Sequence, residues 1–136
     1  MPTILLVESD PGVSRVMARL LEAEGFTVLA ASGAREALTL LYRNRQAVRL
    51  VAVEWEPPDM AGLEFVAAIA RVAPAAAILR LAGGRLPWAP DGDRRADPLV
   101  AAKPFRADEL VRHVRAALGL SPRDRAERRL AWREGA

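Results

Sequence analysis

VAVEWEPPDMAGLEF, residues 51–65, is the stretch on which the reading of this chain turns. An apolar run ends on an acidic residue, Glu54, passes through Pro57-Pro58, and reopens at Gly62-Leu63 as a new apolar pattern. Leu50-Val51-Ala52-Val53 has no polar alternation, the form of a strand buried on both faces. A carboxylate ending such a strand falls at the rim of a sheet, where ligands bind in open α/β folds. Glu54 is therefore the first candidate for a working group, and the rest of the chain must say what surrounds it.

Outward from this segment the same alternation repeats. Thr3-Ile4-Leu5-Leu6-Val7 reads as a buried strand that ends at Glu8-Ser9-Asp10, with Pro11 suited to the first turn of a helix capped by Asp10 or Ser9. Val13, Val16, Met17, Leu20, Leu21 and Ala23 then recur at helical spacing, and Gly25 stops the helix. Phe26-Thr27-Val28-Leu29-Ala30 is a second strand. Ser32 can cap a second helix whose apolar face is Ala34, Ala37, Leu38, Leu41 and Tyr42. After the strand at 50–53, Leu63, Phe65, Val66, Ile69, Ala70 and Val72 stripe a third helix. Residues 77–81 and 99–102 are further strands, and Leu110, Val111, Val114, Ala117 and Leu118 stripe a last helix, with Asp108 as its candidate cap.

Strand–helix alternation with short loops implies a doubly wound five-stranded parallel sheet with helices on both faces, linked by right-handed crossovers. The carboxyl-end rule then gathers Glu8, Ser9, Asp10, Glu54, Leu81 and Lys103 at one end of that sheet. Residues 82–98, AGGRLPWAPDGDRRADP, are the exception. Their prolines and glycines argue that the helix expected between the fourth and fifth strands is degraded or missing. Residues 1–120 form the domain, and 121–136 form an arginine-rich tail, expected to be helical from Ser121-Pro122 onward.

Bulk composition narrows the function classes. A chain of 136 residues that is 51% hydrophobic can build a real core. It has no cysteine, so disulfide and thiolate chemistry are excluded. The formal net charge of +3 is a modest surplus carried by arginine, since Lys103 is the sole lysine. Nucleic acid is thus not the expected partner. Neither a basic segment followed by a long apolar one nor a span of membrane length occurs, so a cytoplasmic protein without membrane contact is expected.

Three motifs, TILLVESDPGV, LVAVEWEPPDMAGLEF and VAAKPF, together with the element order resemble the receiver domain of two-component response regulators over residues 3–119. That resemblance implies an acidic pair holding a divalent metal, an aspartate accepting a phosphoryl group, a Thr or Ser ending the fourth strand, a switch aromatic in the fifth, and a Lys before a cis-proline. Here Glu8 and Ser9 stand for the acidic pair, with Asp10 one step later. Glu54 stands for the acceptor, Leu81 for the Thr or Ser, and Val100 for the aromatic. Only Lys103-Pro104-Phe105, with Pro104 as the cis-proline candidate, and the Pro58…Gly62-Leu63 turn keep the family's form.

Each departure removes a physical component of phosphoryl transfer, which depends on positioning and on metal-assisted neutralisation of charge. Glu54 is one methylene longer than aspartate, which moves its oxygens by roughly an ångström or more. Ser9 is a neutral, weak ligand where Mg²⁺ wants a carboxylate. Leu81 has no hydroxyl and Val100 no aromatic ring. The expectation is an atypical receiver, a pseudo-receiver that is not an enzyme, not phosphorylated at the usual site, and acts through protein–protein contact. Glu54 then either imitates the charged, modified state by pairing with Lys103, or is a satisfied remnant. No metal is expected; Mg²⁺, if held at all, would be held by Glu8, Asp10 and Glu54. The alternatives are a conventional phosphoacceptor with an unusual Mg²⁺ site, and an unrelated small-molecule-binding α/β domain. The latter lacks a glycine-rich phosphate loop after the first strand. A signalling protein or a second copy of the chain is the expected partner, through Trp55, Trp88, Leu130 or Trp132. His113, between Arg112 and Val114, is read as solvated.

Overall fold

Asp10 starts the first helix as its residue type demands. Its Oδ1 accepts the backbone N–H groups of Gly12 at 2.8 Å and Val13 at 3.1 Å, while Pro11 has no N–H to satisfy. Gly25, at φ 96°, ends the connection to the next strand in a conformation that favours glycine. The computed structural model describes residues 2–54, 57–83, 100–103 and 107–119, and the side chains of 82, 83, 100–103 and 107 are outside that description. The elements are β1 (Thr3–Val7), α1 (Pro11–Ala23), β2 (Thr27–Ala31), α2 (Ala34–Arg43), β3 (Val48–Glu54), α3 (Gly62–Val72), β4 (Ala77–Gly83), β5 (Val100–Lys103) and α4 (Ala107–Leu118).

All strand pairings are parallel, in the order β2-β1-β3-β4-β5. The chain reverses its direction of winding between β1 and β3, the switch point of an open α/β sheet. α1 packs with α4, and α2 with α3. Ile4 to Val7 of β1 and Leu50 to Val53 of β3 are fully buried, as expected for strands covered on both faces. Among the described residues, the buried strand side chains of the core come from β1, β2, β3 and β4. β5 is a four-residue strand paired along β4, from Arg80↔Val100 to Gly83↔Lys103.

Several local expectations need correction. Ala82 and Gly83 belong to β4 rather than to an irregular segment. Val16 and Tyr42, placed by periodicity on apolar faces, are 59% and 61% exposed; Arg45 stacks over the Tyr42 ring at 4.5 Å. Asp108 lies inside the first turn of α4, which begins at Ala107, where its charge favours the positive end of the helix dipole. His113 is partly buried, not solvated. Arg80 is fully buried in β4, flanked in register by Val53 and Val100, so a strand that reads apolar carries a charge inside. The expected loss of a helix within 84–98, the cis-proline candidate Pro104 and the tail at 121–136 lie outside the described residues.

Candidate functional site

The sheet register builds the site. Val7 pairs with Val53, so the next residues, Glu8 and Glu54, emerge side by side at the carboxyl ends of β1 and β3. Glu54 in turn pairs with Leu81 of β4, and Lys103 ends β5 opposite Gly83. The backbone therefore carries Glu8, Ser9, Asp10, Glu54, Leu81 and Lys103 to one end of the sheet. The side chains of Val100 and Lys103 fall outside the described residues, as do Trp55, Trp88, Leu130 and Trp132.

Glu54 is held by its neighbour across the switch point. Ser9 donates its backbone N–H to Glu54 Oε2 at 3.0 Å and its hydroxyl to Oε1 at 2.9 Å. Both carboxylate oxygens thus accept from one residue. Burial lifts the Glu54 carboxyl above its ordinary pKa; the Ser9 hydroxyl opposes this, and the adjacent Glu8 charge adds to it. Glu8 itself is 2% exposed, and its Oε2 accepts the Asp10 N–H at 3.3 Å. Opposite Glu54, Leu81 is 1% exposed and offers only methyl groups.

The divalent cation implied by the resemblance needs several hard oxygen ligands. Asp10, the third carboxylate considered for it, is turned to the N-terminus of α1 and caps it. Among the described residues, no three His, Cys, Asp or Glu side chains converge on a shared position.

Sequence reading missed Asp59, in the loop between β3 and α3. Its two carboxylate oxygens accept the N–H groups of Ala34 at 2.8 Å and Arg35 at 2.9 Å, capping α2 from another element. These backbone donors hold the Asp59 carboxyl below its ordinary pKa. Ser32, expected as that cap, instead donates its hydroxyl to Glu36 at 2.8 Å, and the capping position is Gly33, without a side chain to offer. The signal was hard to see because a cap supplied from 25 residues away has no local spacing.

A doubly wound parallel domain with two carboxylates at its switch point has the architecture that the resemblance to receiver domains implies. The family described as "Response regulator receiver domain" matches residues 4–115. This chain belongs to that family, and it is a signal-transduction receiver domain. The unrelated small-molecule-binding alternative is thereby set aside. The chain is 32% identical over 132 residues to the transcriptional regulatory protein GlrR of Escherichia coli K12, covering 96% of this chain and 29% of that protein. It is 31% identical over 117 residues to the C4-dicarboxylate transport transcriptional regulatory protein DctD of Rhizobium meliloti, covering 85% of this chain and 25% of that one. It spans less than a third of either relative. The receiver domain of NtrX from Brucella abortus superposes with a TM-score of 0.72 at 28% identity, over 87% of this chain and 99% of that one. No described helix is long and apolar enough to cross a membrane.

Proposed function

We propose that this receiver domain does not take a phosphoryl group on Glu54 and signals through protein contacts instead. The observation that carries this reading is the Ser9 clamp. Both Glu54 oxygens accept hydrogen bonds from Ser9, and among the described residues the charge that acts on it is that of a second carboxylate, Glu8. An attacking carboxylate needs an oxygen aimed at phosphorus and a positive charge to offset the incoming anion. Glu54 has competing donors for the first, and Glu8 sets a like charge beside it. Leu81 adds no hydroxyl to hold a transferred group. Trp55, Trp88, Leu130 and Trp132 remain the proposed contact residues for a signalling partner, in keeping with tryptophan's role as an interface anchor.

The test is incubation of the chain with Mg²⁺ and acetyl phosphate, or with beryllofluoride, followed by intact-mass and amide-shift measurement. We expect no adduct and no Mg²⁺-dependent shift at Glu8, Ser9 or Glu54. A hydroxylamine-labile phosphoryl adduct mapped to Glu54 would establish the conventional phosphoacceptor reading and overturn this one.

A further inference from the structure

Charge is sorted along the two helices that cover one face of the sheet. α2 and α3 each carry an acid in the first turn, Glu36 and Glu64, and an arginine in the last, Arg43 and Arg71. Helices that return between parallel strands end where the strands begin. Both arginines therefore lie at the amino end of the sheet, away from Glu8 and Glu54. The turn from α2 into β3 adds two more. Asn44 closes that turn: its carbonyl accepts the N–H groups of Ala47 at 2.9 Å and Val48 at 3.0 Å, and its side-chain amide donates to the Leu40 carbonyl at 2.8 Å. Arg45 donates from Nη1 to the Tyr42 carbonyl at 2.7 Å, which sets its guanidinium carbon 4.5 Å from the centre of the Tyr42 ring. Arg49 is turned outward by the backbone. Thr3 pairs with Val48 and Ile4 with Leu50, so Arg49 is the extra residue of a bulge and the one exposed residue of β3.

Nothing nearby in the chain offsets this charge. Residues 37–53 and 65–83 contain no acid. Among the described residues, Arg43, Arg45, Arg49 and Arg71 form no ion pair. The acids near the end of α1 belong to the other face, where Glu24 accepts from Arg115. Arg43 and Arg71 complement the negative ends of their helix dipoles, but that role calls for neither Arg45 nor Arg49.

We infer that this arginine rim binds single-stranded nucleic acid, with Arg43, Arg49 and Arg71 on its phosphates and the Tyr42–Arg45 stack beneath a base. A net charge of +3 spread over the chain attracts a polyanion weakly, whereas four unopposed arginines at one rim attract it locally. Their planar forks match phosphate oxygens. The stack then chooses among anions. Tyr42 is 61% exposed beside its guanidinium, and a base extends such a stack, while an acidic peptide or a lipid headgroup has no ring to place there. A bilayer also asks for apolar side chains to insert. Among the described residues the exposed large hydrophobics are Val16 and Tyr42, and Val16 lies on α1 across the sheet. A duplex keeps its bases stacked within itself, so the ring favours an open strand. No residue of the Glu54 site takes part, and the inference stands apart from the fate of that site.

The test is fluorescence anisotropy of dye-labelled RNA and DNA strands of about a dozen nucleotides, titrated in parallel with the full chain. Binding of either strand is expected to weaken as salt rises, with a log–log slope of about −0.7 for each phosphate held. Arg43→Gln/Arg49→Gln should lower affinity roughly tenfold at low salt and flatten the slope by about 0.7 for each arginine removed. Tyr42→Ala should also lower affinity about tenfold but leave the slope unchanged, and Tyr42→Phe should bind as the wild type does. A role confined to the helix ends would shift the unfolding midpoint of these variants and leave binding untouched. Absence of salt-dependent binding to both strands would overturn the proposal. So would binding that ignores the arginine and tyrosine variants alike, which would assign it to other arginines such as those of residues 121–136. A duplex of the same length bound as tightly as the strand, or phosphatidylserine vesicles or polyglutamate bound in preference to it, would overturn it too. Should a variant fail to fold, these comparisons on the wild-type chain decide.

Discussion

Glu54 and Asp59 are two carboxylates five positions apart on either side of one proline turn, and their surroundings drive them in opposite directions. Asp59 faces the exposed N–H groups that open α2. Helix donors and dipole favour its negative form, and its pKa falls. Glu54 is part-buried beside another carboxylate, so its pKa rises even though Ser9 donates to both oxygens. The difference shows that donor count does not decide the state of an acid. Both oxygens of each group accept hydrogen bonds; what separates them is burial and the sign of the next charge. One loop thus carries a structural anchor at one end and a frustrated site at the other.

That contrast can be broken experimentally. The largest expected effect is Asp59→Ala, which frees the N–H groups of Ala34 and Arg35 and should cost about 1 kcal/mol in urea unfolding. The deficit should shrink as pH falls, because a lowered folded-state pKa gives stability that is present above the ordinary carboxylate value and lost below the folded one. Gly33→Ala sharpens the point. Its Cβ would lie 3.0 Å from Asp59 Oδ1, yet φ at −163° is ordinary extended backbone. The change should destabilise the wild type by up to about 1 kcal/mol, and be neutral or stabilising in the Asp59→Ala background, a non-additivity measurable as a double-mutant cycle.

At the other end of the loop the effects are smaller. Ser9→Ala removes the hydroxyl donor, should cost about 0.5 kcal/mol, and should push the Glu54 pKa further up by NMR titration. Glu54→Gln removes the like charge while keeping an oxygen for Ser9, and should shift stability by only a few tenths of a kcal/mol near pH 7, on the stabilising side. Its advantage should grow as pH rises from the ordinary carboxylate value through the raised folded-state pKa, the reverse of the Asp59 trend. Matching pH slopes for the two variants would remove the distinction.

Much of this architecture was legible because it is written in short-range patterns. Continuous apolar runs mark β1 and β3 as doubly covered, Asp10-Pro11 marks the start of α1, and Gly25 its end; these depend on sequence neighbours and on backbone chemistry. Val16 and Tyr42 misled because helical period tells which residues share a stripe, not where the stripe's edge meets solvent. The Asp59 cap, the burial of Arg80 and the Ser9 clamp were invisible for a different reason. Each joins or places residues by how separate elements are set against one another.

The residues by themselves determined the order of strands and helices and the carboxylates that end β1 and β3, since local periodicity and capping are properties of neighbouring side chains. Only the tertiary structure decided that Ser9 occupies both oxygens of Glu54, that Asp10 serves α1 rather than a shared cation position, and that a loop aspartate opens α2. Hydrogen bonds and Coulomb forces act through a few ångströms of space, and the distances that govern them are set by packing, not by spacing along the chain.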